Sequence, residues 1–147
     1  MAKIYWLTGQ PGAGKTTIAK YICKNILTQN SFNVDGDDIR ELFDNKDYSE
    51  QGRRKNIELA QQLSQYLVSK GHNVIVSLVS PYKDQRENFK KKMGDNLVEF
   101  YVHTTEVRGR EKFFVENYEA PTEIFVDINT DNKTVEECAK TILAYEY

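Results

Sequence analysis

Cysteine, surplus charge and long apolar runs are all scarce in this chain, and each scarcity removes a class of protein. The two cysteines, Cys23 and Cys138, fall in expected helices at a spacing that suits neither a metal site nor a redox pair. They read as thiols of a reducing cytosol. With 20 basic against 22 acidic residues and a net charge of −2, the chain carries no field that would draw nucleic acid or an anionic membrane. An anionic substrate must therefore be held by a local cluster. No apolar run approaches the roughly 20 residues that cross a bilayer. The N-terminus enters a strand with no leader peptide before it, so the expected setting is cytoplasmic. Repeats, low-complexity tracts and interdomain linkers are missing as well. What remains, 147 residues of which 39% are hydrophobic, suits a single domain, 1–147, around one core.

The stretch that organises the rest is Gly9-Gln10-Pro11-Gly12-Ala13-Gly14-Lys15-Thr16-Thr17, the G-x-x-x-x-G-K-[ST] pattern of a phosphate-binding loop. Before it, Lys3-Ile4-Tyr5-Trp6-Leu7-Thr8 has the length and composition of a buried strand. After it, Ile18, Tyr21, Ile22, Ile26 and Leu27 share one helical stripe. Strand, glycine turn and helix, in that order, aim backbone N–H groups and the positive helix end at one anion. Lys15 would reach the β- and γ-phosphates of ATP, and the Thr16 hydroxyl would ligate Mg²⁺. A plain glycine turn before a helix is the alternative, and the strand–turn–helix setting weighs against it.

Phe32-Asn33-Val34 reads as a second strand, ending in Asp35-Gly36-Asp37-Asp38-Ile39-Arg40. Acids and an arginine at the carboxyl end of a strand lie where open α/β sheets bind ligands. Phosphoryl transfer needs a carboxylate for the metal or for the acceptor's proton, and a cation for substrate charge. Asp37 and Arg40 suit those roles. The alternative is that Asp38 caps a helix Ile39–Phe43 and that Asp37 and Arg40 form an i,i+3 surface pair. A long helix then runs from Tyr48-Ser49-Glu50 to about Lys70, stopped by Gly71. Its adjacent Arg53 and Arg54 point in different directions, so one at most faces a ligand, and spacing alone does not say which.

Asn73 to Ser80 is the most continuous apolar strand, as for a central parallel strand. Beyond it, Ser80 as a cap and Tyr82 as packing under a helix Asp84–Met93 are the plain readings. Leu97–His103 is a fourth strand, with His103 a strand-end residue. Thr104 to Glu119 lacks a period and holds Arg108, Arg110, Lys112, Phe113 and Phe114, which suits a lid that excludes water from a phosphoryl transfer; the alternative is a surface helix with a solvated charged face. Ile124–Asp127 is a fifth strand, and Thr134-Val135-Glu136-Glu137 is a capping box that opens a last helix to about Tyr145. The expected fold is α/β: a P-loop NTPase three-layer sandwich with a five-stranded parallel sheet and helices on both faces, like that of nucleoside monophosphate kinases.

Five motifs in order over nearly the whole chain resemble one family. Asp35-Gly36-Asp37-Asp38-Ile39-Arg40 looks like its D-G-D-N-[IV]-R, and Tyr48-Ser49-Glu50-Gln51-Gly52-Arg53-Arg54-Lys55-Asn56-Ile57 like F-S-x-x-D-R-x-x-N-I. Leu78-Val79-Ser80-Pro81-Tyr82-Lys83 looks like F-I-S-P-Y-R, and Tyr118-Glu119-Ala120-Pro121 matches Y-E-A-P. With the phosphate loop, these resemble adenylyl-sulfate kinase (APS kinase), which uses Mg-ATP to phosphorylate the ribose 3′-hydroxyl of adenylyl sulfate.

The resemblance implies ATP contacts from Gly9 to Thr17, with Asp35 and Asp37 at the metal and the acceptor hydroxyl. It implies that Arg40, Arg53 and Asn56 hold the acceptor, and so selects Arg53 over Arg54. Tyr48 would stack on the acceptor adenine and Val79 would line the same pocket. Ser80 matches a serine assigned as a phosphoserine intermediate and joins Lys15, Asp35 and Asp37 as a catalytic candidate, although in-line transfer needs no covalent step and no base adjoins Ser80 in sequence. The resemblance further implies ATP and Mg²⁺ as cofactors, adenylyl sulfate as partner substrate, and admits a homodimer. The main departures lie in Thr104 to Asn117, which lacks the family's P-K-G-L-Y core; Gly52 in place of the aspartate and Asp38 in place of the asparagine are smaller ones. Arg108 or Arg110 then supplies lid charge, and Phe113 or Phe114 the second stacking ring; Arg108 is taken for the nucleotide and Phe114 for the acceptor. The rivals are a kinase of another hydroxyl acceptor and a nucleotide-binding regulator without transferase activity.

Overall fold

Period-two alternation along five parallel strands divides the hydrophobic residues of this chain between two faces of one sheet. The structure, a computed structural model, describes residues 2–27 and 30–145. The strands are β1 (Ile4–Thr8), β2 (Ser31–Asp35), β3 (Asn73–Ser77), β4 (Leu97–His103) and β5 (Val126–Asn129). They pair in the order β2-β3-β1-β4-β5, every pair parallel. The helices are α1 (Lys15–Asn25), α2 (Gly36–Leu42), α3 (Glu50–Ser69), α4 (Lys83–Met93) and α5 (Val135–Leu143). This is the α/β P-loop fold that the sequence predicts.

Central β1 is buried throughout, because helices cover both of its faces. Tyr5, Leu7, Ile75, Phe100, Val102 and Ile128 pack with Ile18 and Ile22 of α1 and with Cys138 and Ile142 of α5. On the other face Ile4, Trp6, Val34, Val74 and Val76 pack with Ile57 of α3 and Phe89 of α4. Both cysteines are free. No helix among the described residues is long and apolar enough to cross a membrane.

Among the element ends that differ from the sequence reading, three have a clear local reason. Helix α2 begins at Gly36 rather than Ile39, because Asp35, not Asp38, is its cap and accepts from the Asp37 N–H. Strand β3 stops at Ser77 rather than Ser80. The Thr8 hydroxyl takes the Val79 carbonyl at 2.7 Å, and Ser80 turns to φ 41°, which draws the chain out of the ladder. Strand β5 starts at Val126 rather than Ile124. Ile124 has φ 43° and is 92% exposed, and its carbonyl is held instead by the Lys90 ammonium. The capping box of Thr134 and Glu137 forms as expected.

One buried ionic cluster fastens the carboxyl side of the sheet. Glu99, fully buried in β4, accepts from the Arg86 guanidinium at 2.9 Å and from the Lys90 ammonium at 2.7 Å. Arg86 also donates to the Ser80 carbonyl at 2.6 Å and to the Glu119 carbonyl. A buried ion pair lasts only when its remaining donors are satisfied, and Arg86 spends them on the loops that border the cavity described next.

Candidate active site

A cavity of about 860 Å³ opens at the carboxyl ends of β1, β2 and β3, the position where doubly wound sheets bind ligands. The phosphate loop lines one end of it. Gly9 is irreplaceable on steric grounds alone, since a Cβ there would lie 2.1 Å from the Val102 carbonyl oxygen. Helix α1 starts at Gly14 with no side-chain cap and no acid in its first turn, whereas Asp35, Ser49 and Thr134 cap α2, α3 and α5. Unfilled N–H groups at a positive helix end are an anion site. Ala13 turns into the core.

The Lys15 ammonium donates to the Gly9 carbonyl at 2.7 Å and the Gln10 carbonyl at 2.9 Å. Burial pulls its pKa down to about 7; nearby Asp35 opposes that shift, and Arg110 adds to it. The Thr16 hydroxyl donates to Asp35 Oδ2 at 2.8 Å. A second hydroxyl, Ser77 Oγ, donates to the same oxygen at 2.9 Å, and Asn33 Nδ2 donates to Ser77 Oγ at 3.0 Å. Asp35 is thus held on both sides as well as capping α2. Asp37 also lines the cavity but has no side-chain hydrogen bond or ion pair among the described residues, and it does not pair with Arg40.

Thr16 and Asp35 form a small set of hard oxygen donors, and no three His, Cys, Asp or Glu side chains gather into a metal cluster among the described residues. That donor set fits Mg²⁺, which keeps several waters and takes its other ligands from nucleotide phosphates.

The far end of the cavity is lined by Arg40, Tyr48, Arg53, Asn56, Val79 and Ser80. Arg53 faces the cavity without a partner for its guanidinium among the described residues. Arg54 turns to the surface, where it pairs with Glu50 and Asp84 and lies over the Tyr82 ring. Asn56 is buried; its amide N–H donates to the Gly36 carbonyl at 3.2 Å, while its Oδ1 has no partner among the described residues. A buried acceptor in that state costs about 1–3 kcal/mol, which a ligand donor would recover. Arg40 donates to the carbonyls of Asn45 and Asp47 and stacks on Tyr48, 4.0 Å from ring centre. The turn that carries Tyr48 lies hard against α3: a Cβ on Gly52 would come 2.1 Å from the Asp47 carbonyl oxygen. Ser80 is buried rather than a cap; its hydroxyl accepts from Trp6 Nε1 at 3.0 Å and donates to the Leu78 carbonyl.

Residues 104–119 close the third side, with one short 3₁₀ turn at Glu111–Phe113. Arg108 donates to the Ala13 carbonyl at 3.1 Å and to the Thr130 carbonyl at 3.3 Å. Arg110 lies against Gly12 and over Phe113. Phe113 and Phe114 are both largely exposed and both line the cavity. The segment's ends are fixed: Asp131 accepts from Thr104 and Thr105, which hold its carboxyl at about 2. At the other end the Tyr118 hydroxyl meets Thr8 Oγ1 at 2.8 Å and Glu119 accepts from the Lys83 N–H, capping α4. Burial raises the Tyr118 phenol to about 12, so it stays neutral. His103 pairs with Asp127 at 2.7 Å, as a strand-end residue.

Sequence reasoning missed Asn33, Ser77, Arg86 and Glu99. The signal for the last two was a lone acid in an apolar strand beside a helix with basic residues at i and i+4.

Comparison with known proteins bears on the family and the fold. A family model described as adenylylsulphate kinase matches residues 1–113. The chain is 31% identical over 164 residues to the adenylyl-sulfate kinase of Staphylococcus haemolyticus, covering 97% of this chain and 82% of that one. It is 35% identical over 167 residues to the adenylyl-sulfate kinase of Saccharomyces bayanus, covering 97% and 81%. Among solved structures, the Mycobacterium tuberculosis APS kinase in complex with AMPPNP and APS superimposes with a TM-score of 0.85 at 20% identity, covering 98% of this chain and 96% of that one. A sugar kinase from Janibacter superimposes with a TM-score of 0.71 at 13% identity, covering 99% and 94%. At those identities the two structural matches speak for the fold.

Proposed function

The chain belongs to the adenylyl-sulfate kinase family, and from that membership we propose that it transfers the γ-phosphoryl group of ATP to the 3′-hydroxyl of adenylyl sulfate. One observation carries the reading. A single cavity joins an anion-binding helix start to an opposite wall where, among the described residues, the Arg53 guanidinium and the buried Asn56 Oδ1 lack partners. In the proposal residues 1–147 act as one cytoplasmic kinase domain, with 104–119 as its lid.

Phosphoryl transfer asks a protein chiefly for position and charge. The backbone of Gly9 to Thr17 cradles the ATP phosphates. Lys15 exchanges two carbonyls for phosphate oxygens, and Arg108 and Arg110 bring charge from the lid. Thr16 and Asp35 would hold Mg²⁺, which when bound neutralises charge on the phosphates. With Asp35 held by two hydroxyls, Asp37 is the carboxylate free to accept the proton of the 3′-hydroxyl. That oxygen attacks the γ-phosphorus in line, the bond to the β-phosphate oxygen breaks, and ADP leaves. Arg40, Arg53 and Asn56 orient the acceptor, Tyr48 and Phe114 flank its adenine, and Val79 lines the pocket. Ser80 holds the loop after β3 through Trp6 rather than carrying phosphate, since no base adjoins it.

The test is ADP release from Mg-ATP with and without adenylyl sulfate, with identification of the 3′-phosphorylated product. Nucleotide binding without acceptor-dependent ADP release would sink the reading. The altered lid sequence favours a second one, transfer to another small-molecule hydroxyl, and a panel of sugar and nucleoside acceptors separates the two.

A further inference from the structure

The second residue of the phosphate loop reaches away from the phosphate site. Gln10 does not line the cavity. Its side-chain amide instead pairs with one peptide unit of the 104–119 segment: Gln10 Nε2 donates to the Val115 carbonyl at 2.8 Å, and the Val115 N–H donates to Gln10 Oε1 at 2.9 Å. Both bonds are partly buried, so water competes poorly for them. A primary amide is the side-chain group that presents a donor and an acceptor as a peptide unit does, and the pair closes like one rung between strands.

The position of that rung matters. Outside its short 3₁₀ turn, 104–119 has no regular ladder to hold it, and Val115 follows directly on Phe113 and Phe114. The backbone of Gln10 is itself held, its carbonyl accepting from the Lys15 ammonium. A continuous path therefore runs from the phosphate-binding lysine through Gln10 to Val115, in the last third of the segment.

We propose that Gln10 is a positioning residue, a latch that fixes 104–119 over the phosphate loop and so sets the placement of Arg110, Phe113 and Phe114. The role in transfer rests on the kinase reading above; the latch itself does not.

Limited trypsin digestion of the full chain reads the latch directly, because Arg108, Arg110 and Lys112 lie in the segment. Gln10→Leu keeps the length and removes both bonds. Two hydrogen bonds of ordinary strength predict cleavage there faster by about tenfold or more. Gln10→Glu, which keeps the acceptor for the Val115 N–H and sets a carboxylate against its carbonyl, should be cleaved at least as fast as wild type. If Gln10→Leu fails to fold, Gln10→Asn, one methylene too short to span to Val115, carries the same test. Equal cleavage of wild type and the folded variant overturns the latch whatever the acceptor is. Where adenylyl sulfate is the acceptor, the variant should also hydrolyse more ATP per product formed. A failed acceptor assay with accelerated cleavage would refute the kinase reading and leave the latch standing.

Discussion

The two walls of the cavity are built on opposite principles. The wall at the strand ends is made of groups whose places are fixed several times over: Asp35 caps a helix and accepts two hydroxyls, and Gly9 lies against β4 with no room for a methyl group. The wall formed by 104–119 hangs from a few tethers and exposes Phe113, Phe114 and Val107. Fixed dipoles serve a transition state because they need no reorganisation, whereas admission of substrate needs a part that opens. If 104–119 is the lid proposed above, rigid chemistry and a movable cover are divided between different stretches of sequence.

Substitutions at the phosphate and acceptor ends of the cavity should have larger effects than any in 104–119. Lys15→Ala should lower kcat by about 10³-fold, the upper range for loss of one charge-stabilising donor, while the thermal midpoint holds or rises because a buried ammonium is removed; near-normal turnover would refute the role. Asp37→Asn should cost about 10²-fold or more in kcat, as for loss of a general base, with ATP affinity little changed. If Asp35→Asn gave that pattern and Asp37→Asn did not, the two acids would exchange roles. Arg53→Ala should raise the acceptor KM roughly tenfold or more, as for loss of a charged hydrogen bond. Arg54→Ala, which removes an exposed pair, should change it less than about twofold; equal effects would erase the distinction between them.

The smallest effect is a proton count. Folding lowers Lys15 to about 7 from its ordinary 10.5, so between those values the unfolded chain binds the extra proton and this site's contribution to stability rises with pH. Triphosphate beside the ammonium reverses the shift. Nucleotide binding at pH 8 should therefore take up a fraction of a proton, seen calorimetrically as a heat that depends on the buffer's ionisation enthalpy. A buffer-independent heat would contradict this.

The division between the walls also governs what the sequence discloses. Period-two strands, the glycine loop and the capping box at Thr134 are local patterns, and each appears in the structure close to where the pattern puts it. Helix α2 begins three residues before the start that an Asp38 cap implies, because Asp35 at the end of β2 takes the cap, and where β2 ends is not a local pattern. Ser77 behind Asp35, and Arg86 with Glu99, are pairings across long sequence separations that no local period encodes. The placement of Arg110, Phe113 and Val115 was illegible for the same reason: a segment without a period takes its shape from what it touches, here Gln10 and Gly12.

As the proposed lid, 104–119, fastened to Asp131 at one end and to Thr8 and α4 at the other, would bow outward rather than swing clear like a flap hinged at one side. The entrance is then a slot whose width is set by slack, at most ~3.3–3.6 Å for each residue between fastenings. Arg108, held by Ala13 and Thr130, and Val115, held by Gln10, divide that slack, so the stretch between them would be the widest part of the gate. A compact molecule can slip beneath such an arch from the side, whereas a long polymer would have to be threaded through it end first.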